Sequence, residues 1–172
     1  MSAGYKYCPL CAKVLLERTV FGEARPACPD PECGFVLFLE PKLVAVVVVE
    51  HKVEILLGRR AMQPSLGLWS FPGGYINRFE KVEEAALREV KEETNLDVTL
   101  DGLLGVYSEK GNPVVLLVFR AVPVSAEAIK GMRSQPEEVS ELAFFDPNQL
   151  PEMAFPSERW IMQQWYATKN SD

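Results

Sequence analysis

Residues 73–96 read "GGYINRFEKVEEAALREVKEETNL", with six glutamates in the fourteen residues 80–93 directly behind two glycines. Length and composition predict a helix over residues 80–94. At about 100° per residue, Val82 and Ala86 define its apolar direction, flanked by Ala85 and Val90. Glu93 projects within about 20° of both, and Glu89 lies close beside it. Glu92 follows Glu89 by three residues and Glu93 by four, so the three side chains can converge. A surface helix laced with Glu–Lys pairs is the simple alternative, but it would put these acids opposite Val82. Crowded carboxylates repel, and burying one unpaired is costly. A divalent cation removes that conflict, and Mg²⁺ suits carboxylate, carbonyl and phosphate oxygens. The glycine turn allows close backbone approach and offers the Gly74 carbonyl as a further ligand. Arg88 is placed to orient the carboxylates or to meet phosphate.

Around this helix the chain alternates β-branched runs with turn signals. "LVAVVVVE" (43–50) and "VEILLGRR" (53–60) predict a hairpin through "HK". "LWSFPGG" brings a short strand to the glycine turn, and "DVTLDGLLGVYSE" and "PVVLLVFRAVPV" read as strands broken at "KGN". "ELAFFD" is a further strand, and residues 156–167 form a closing amphipathic helix in which Trp160 and Trp165 are expected to pack. The order predicts an α/β (α+β) sandwich, a mixed sheet between helices. His51 is the single histidine and falls at the hairpin turn, which leaves Ser-His and Cys-His nucleophile schemes without support.

Cys8, Cys11, Cys28 and Cys33 form C-x2-C-x16-C-x4-C. Two close pairs across a short spacer predict a tetrahedral Zn²⁺ site that staples a small ribbon, with free or redox-active thiols as the alternative. The expected boundaries are a zinc ribbon over 1–39 and a second domain over 40–172. Residues 1–42 hold five basic against five acidic side chains, so the ribbon lacks a basic footprint and nucleic acid is not the expected partner. A structural or dimerisation role is expected instead, which leaves a homodimer open. The formal net charge of −6, half of it in residues 80–93, also points to cations rather than nucleic acid. No secretory signal or membrane-length apolar run is evident, so a cytoplasmic protein is expected.

Gly74-x5-Glu80-x7-Arg88-Glu89-Val90-x-Glu92-Glu93-x-Asn95-Leu96 resembles the Nudix box, G-x5-E-x7-R-E-U-x-E-E-x-G-U with U aliphatic. Asn95 stands where the family has glycine. A left-handed helix end is wanted there, and Asn is the best substitute; Asn95→Gly is therefore expected to be neutral or slightly stabilising. The cysteine ribbon, "LLGRR", "LWSFPGG", the box and "FFDPNQLP" together are similar to Nudix hydrolases of the ADP-ribose, FAD and NADH group. The resemblance implies hydrolysis of a nucleoside diphosphate linked to another moiety, with Mg²⁺ or Mn²⁺ as cofactor. It implies that Glu89, Glu92, Glu93 and the Gly74 carbonyl hold the metal beside Arg88. A glutamate from the loop before the late strand then serves as general base, chosen here as Glu138 over Glu137 and Glu141. The nicotinamide branch carries SQPWPFP after the box, whereas this chain has "GVYSEKGNPVVLLVFRA", so ADP-ribose or FAD is favoured over NADH. Arg60, Trp69, Phe71 and Tyr107 are the expected substrate-binding residues, with Phe155 a further ring for a base. Two other classes stay open: a Nudix-shaped nucleotide sensor without hydrolysis, and an RNA-end hydrolase guided by the ribbon.

Overall fold

The computed structural model describes residues 5–169, and the chain falls into two compact units that divide after Pro41. In the first unit β1 (Leu16–Val20) pairs antiparallel with β2 (Glu23–Ala27). Two turns carry the cysteines, one closed by Ala12 N–H on the Cys8 carbonyl and the other by Cys33 and Gly34 N–H on the Asp30 carbonyl. Asp30 explains the longer spacer in "CPDPEC". Its carboxylate accepts the Glu32 N–H at 3.1 Å and the Lys13 ammonium at 2.7 Å, which closes its own turn and ties it to the other.

The second unit is a mixed seven-stranded sheet with helices on both faces. Its strands are β3 (Lys42–His51), β4 (Glu54–Arg60), β5 (Trp69–Ser70), β6 (Gly73–Tyr75), β7 (Val98–Ser108), β8 (Val114–Pro123) and β9 (Val139–Phe145). The main path runs β5-β4-β3-β8-β7, with β6 paired to β3 and β9 to β4. β3 and β8 are parallel; the other pairings are antiparallel. The continuous valines of β3 follow from burial on both faces. Ala45, Val47 and Val49 pack with Ala85, Ala86 and Val90 of helix α1 (Val82–Thr94) and with Ile129 of helix α2 (Ala126–Lys130). Val48 faces the opposite way, onto Ile161, Met162 and Trp165 of helix α3 (Ser157–Lys169). Each fully buried valine or leucine contributes roughly 1.5–3 kcal/mol.

Three local differences from expectation have plain causes. The hairpin turn is Lys52–Val53, one residue later than "HK", with Lys52 at φ 58°. α1 begins at Val82, because Glu80 spends its carboxylate on the Asn77 N–H and on Arg88 instead of entering the helix. α2 escapes the sequence pattern because it is only five residues long; Ser125 caps it by accepting the Ala128 N–H.

α1 ends at Asn95 in the left-handed conformation, φ 55° and ψ 14°. Its side-chain amide also donates to the Gly131 carbonyl at 2.8 Å, joining the ends of α1 and α2. This bond overturns the expectation for glycine. Asn95→Gly is now expected to lose up to about 1 kcal/mol with that bond. Asn95→Val is expected to lose more, since a β-branched residue also pays about 1–2 kcal/mol for the left-handed conformation. Chemical denaturation of the three proteins checks the order Asn, Gly, Val.

Candidate functional site

The two glycines before α1 do different jobs. A Cβ on Gly73 would strike the Ala45 carbonyl and come 2.9 Å from Val46 Cα, so only glycine lets β6 lie this close to β3. A Cβ on Gly74 would overlap the Glu89 carboxylate. Val47 N–H donates to Pro72 and Ile76 N–H to Leu43, and hydrogen-bonded pairs alternate along such a ladder. Gly74, opposite Ala45 between them, therefore uses its carbonyl in the sheet and keeps a second lone pair.

The acids of α1 point where the helical wheel puts them. Glu89 is 8% exposed, and its carboxyl is raised, chiefly by burial and against the pull of Arg88. Glu93 is half-buried and accepts the Gly73 N–H at 3.1 Å. Burial pushes its carboxyl up to about 8; Glu89 and Glu138 push the same way, while the Gly73 N–H and Arg60 pull back. Glu138 reaches this cluster because the preceding loop hangs on the end of α1. Arg133 N–H donates to the Thr94 carbonyl and Gln135 N–H to the Glu93 carbonyl. Glu141, the neighbouring candidate, is instead paired with Arg59 at 3.5 Å.

Arg88 is spent inside the protein. Its Nε and Nη2 fork onto Glu80 at 2.7 and 2.9 Å, Nη1 bridges Glu89 and Glu92 at 2.6 and 2.9 Å, and Nη2 also meets the Tyr75 carbonyl at 3.0 Å. All five donors are used. Arg88 therefore orients the carboxylates, and the alternative that it meets phosphate is not what the geometry favours. The guanidinium holds Glu80 down to about 2. It also draws Glu92 aside, so the three expected ligands do not converge as tightly as the cysteines do.

Among the expected substrate residues, Arg60 is the one whose charge reaches the acids. It ends β4, and its charge acts on Glu93. The expected aromatic residues pack in or against the core. Phe71 is 5% exposed in the core beneath α3, and Trp69 packs edge-on to Phe145 at 4.8 Å in the same cluster. Tyr107 rests on Trp160 at 5.4 Å, on a strand three steps from β6, or about 14 Å at the usual interstrand spacing. The periodicity of short strands could not separate a core ring from a stacking ring. Glu158 was not anticipated: it is 4% exposed, and burial pushes its carboxyl up to about 7. Its sequence signal was a glutamate three residues after Phe155 at a helix start.

In the first unit the four sulfurs lie within 4.8 Å of one another, the only such group of ligating side chains among the described residues. Cys8–Cys33 and Cys11–Cys28 are 3.6 and 3.4 Å apart. A tetrahedron with 2.3 Å zinc–sulfur bonds has edges of about 3.8 Å, whereas a disulfide would need about 2.05 Å. Burial opposes ionisation of Cys8, yet the N–H groups of Leu10 and Cys11 bring it down to about 7. The Phe35 N–H favours the Cys33 thiolate, but burial and the other three thiols push it up to about 12. Four thiolates cannot coexist there without a cation, so the donor set fits zinc.

The NUDIX domain family profile matches residues 40–166. An ADP-ribose pyrophosphatase of Methanocaldococcus jannaschii is 36% identical over 138 residues, 78% of each chain. An NAD-capped RNA hydrolase, NudC, of Stutzerimonas stutzeri is 27% identical over 91% of this chain and 53% of its own. A NUDIX hydrolase from Nitrosomonas europaea superposes with a TM-score of 0.81 at 26% identity, covering 95% of this chain and 93% of that one. With the box on α1 and the profile spanning the second unit, the chain belongs to the Nudix family and is a Nudix pyrophosphohydrolase.

Proposed function

We propose that the chain hydrolyses the diphosphate of a nucleoside diphosphate linked to a second moiety, with ADP-ribose or FAD as substrate and Mg²⁺ or Mn²⁺ required. The observation that carries this is Glu93, a half-buried acid crowded by Glu89 and Glu138 and relieved mainly by one N–H and the charge of Arg60. Such a donor set fits a hard cation. Glu89, Glu93 and the Gly74 carbonyl hold it, with Glu92 joining from its place on Arg88. When bound, the cation acidifies a water and neutralises diphosphate charge. Glu138, exposed and with its charge acting on both Glu89 and Glu93, accepts the proton of the attacking water. Arg60 receives the diphosphate, and Arg88 fixes the ligand carboxylates. The Methanocaldococcus relative supports ADP-ribose. A nicotinamide dinucleotide is the second candidate, because 157 aligned residues with the NAD-capped RNA hydrolase reach well into the first unit. Incubation with ADP-ribose, FAD, NADH and a nucleotide sugar, products resolved by chromatography, is the test. ADP-ribose or FAD should yield AMP fastest. Binding of ADP-ribose without turnover of any of the four would instead favour a nucleotide sensor.

The described part of the expected 1–39 unit, residues 5–39, is a structural zinc ribbon. Protein purified without added metal should contain about one zinc per chain. Cys28→Ser should release it and unfold the first unit while leaving most turnover intact, as checked by metal analysis and proteolysis. Stoichiometric disulfides without zinc would contradict the assignment.

A further inference from the structure

Arg60 is held in an unusual way. Its Nε donates to the Pro64 carbonyl at 2.8 Å, and its guanidinium carbon lies 5.0 Å from the centre of the Phe155 ring. Its two terminal nitrogens make no hydrogen bond to protein among the described residues, so they are left for a ligand. The ring beneath it belongs to a segment that the chain fastens repeatedly. Trp69 N–H donates to the Glu152 carbonyl, Ala154 N–H to the Trp69 carbonyl, and the Ser65 hydroxyl to the Ala154 carbonyl. Behind it sits Glu158, whose Oε2 accepts the Phe155 N–H at 2.9 Å, with the N–H groups of Ala154 and Phe71 turned to the same carboxylate.

A helix-capping glutamate has no need of burial. This one is buried; the Phe155 and Ala154 N–H groups offset its burial most, and the charge of Arg60, which also acts on Glu93, adds to them. The guanidinium charge thus acts on two acids from different elements, one in the acid cluster of α1 and one at the start of α3. A cation so placed, stacked on one ring and bonded through Nε, has little freedom except at the Nη groups it presents. Pre-organised donors of this kind bind a diphosphate without losing rotamer freedom on binding.

We infer that Glu158 is a positioning residue: it fixes the Phe155 ring and, through it, the Arg60 guanidinium that receives the substrate diphosphate. The inference rests on the anion-binding role proposed above for Arg60. Glu158 touches neither substrate nor metal in it.

A double-mutant cycle tests it, run with whichever of ADP-ribose and FAD the wild type hydrolyses faster. Arg60→Ala should raise KM about tenfold, one charge-assisted contact. Glu158→Gln should raise KM severalfold in the wild type, because a neutral amide offers its oxygen to only part of the N–H set, and should add almost nothing once Arg60 is alanine. Phe155→Leu, which keeps the capped backbone but removes the ring, guards against a Glu158 variant that fails to fold and should show the same non-additivity. Melting temperatures separate stability from KM. If Glu158→Gln lowers stability and raises KM equally in both backgrounds, Glu158 is a helix cap and the inference is overturned. If Arg60→Ala raises KM while neither Glu158→Gln nor Phe155→Leu does, the positioning role fails and the Arg60 reading stands. If Arg60→Ala leaves KM unchanged, both fail.

Discussion

Glu93→Gln is expected to lower diphosphate hydrolysis by about a hundredfold or more, the scale of losing one pre-organised electrostatic element. Glutamine keeps the shape and can still accept the Gly73 N–H, so the loss would isolate the charge. Folding should be preserved or improved, since Glu93 sits against Glu89 and Glu138 in a site that disfavours ionisation. Glu83→Gln removes the same charge from the first turn of the same helix, on an exposed residue, and should be nearly silent. Steady-state rates at saturating Mn²⁺ decide. Equal losses in the two variants would mean that α1 provides a general acidic field and no defined site.

Gly74→Ala should be nearly as damaging, although it changes no charge. The added methyl would occupy the space of the Glu89 carboxylate, which Arg88 holds from the other side at 2.6 Å. The carboxylate must move, and with it a metal ligand, so turnover should fall about 10- to 100-fold at fixed Mn²⁺, the scale of disturbing a ligand's support. Higher Mn²⁺ should recover part of the loss. Gly73→Ala, by contrast, meets the β3 backbone and should cost stability first. Activity and melting temperature, measured on both variants, separate the two glycines. An unchanged rate in Gly74→Ala would show that Glu89 need not lie where it does.

Much of this was legible in the residues themselves. The wheel put Glu89 and Glu93 on the side of Val82 and Ala86, and the structure buries Glu89 and half-buries Glu93 there. The β-branched runs gave β3, β4, β7 and β8 nearly to the residue. What the sequence hid are pairings between distant segments. Arg88 spacing did not show that Glu80 and the Tyr75 carbonyl would use its remaining donors. Phe71 and Trp69 read equally as core or stacking rings, and the packing of α3 and Phe145 on them comes from distant segments. Phe155 lies under Arg60, and Glu158 feels its charge, across nearly a hundred residues of chain, beyond the reach of any periodicity. β6 was missed because three residues ending in glycine and tyrosine carry no strand pattern, yet it pairs with β3 and supplies the N–H that Glu93 accepts.

The crowded acids of α1 form a donor set that fits a divalent cation. A carboxyl raised in the folded state binds its proton more tightly there than in the unfolded chain. The stability it contributes is full below about 4.5 and is lost as pH climbs through about 8. Glu158, raised to about 7, acts in the same direction but is present in wild type and Glu93→Gln alike. The most direct measurement is therefore the melting temperature of metal-free wild type and Glu93→Gln at pH 5 and pH 8, each with and without Mn²⁺. Wild type should lose about 5 °C more than the variant between pH 5 and pH 8, the scale of about 2 kcal/mol in a chain of this size. Mn²⁺ should restore the wild type at pH 8 and leave Glu93→Gln nearly unmoved. The same pH dependence in both proteins, or equal stabilisation of both by Mn²⁺, would contradict the account.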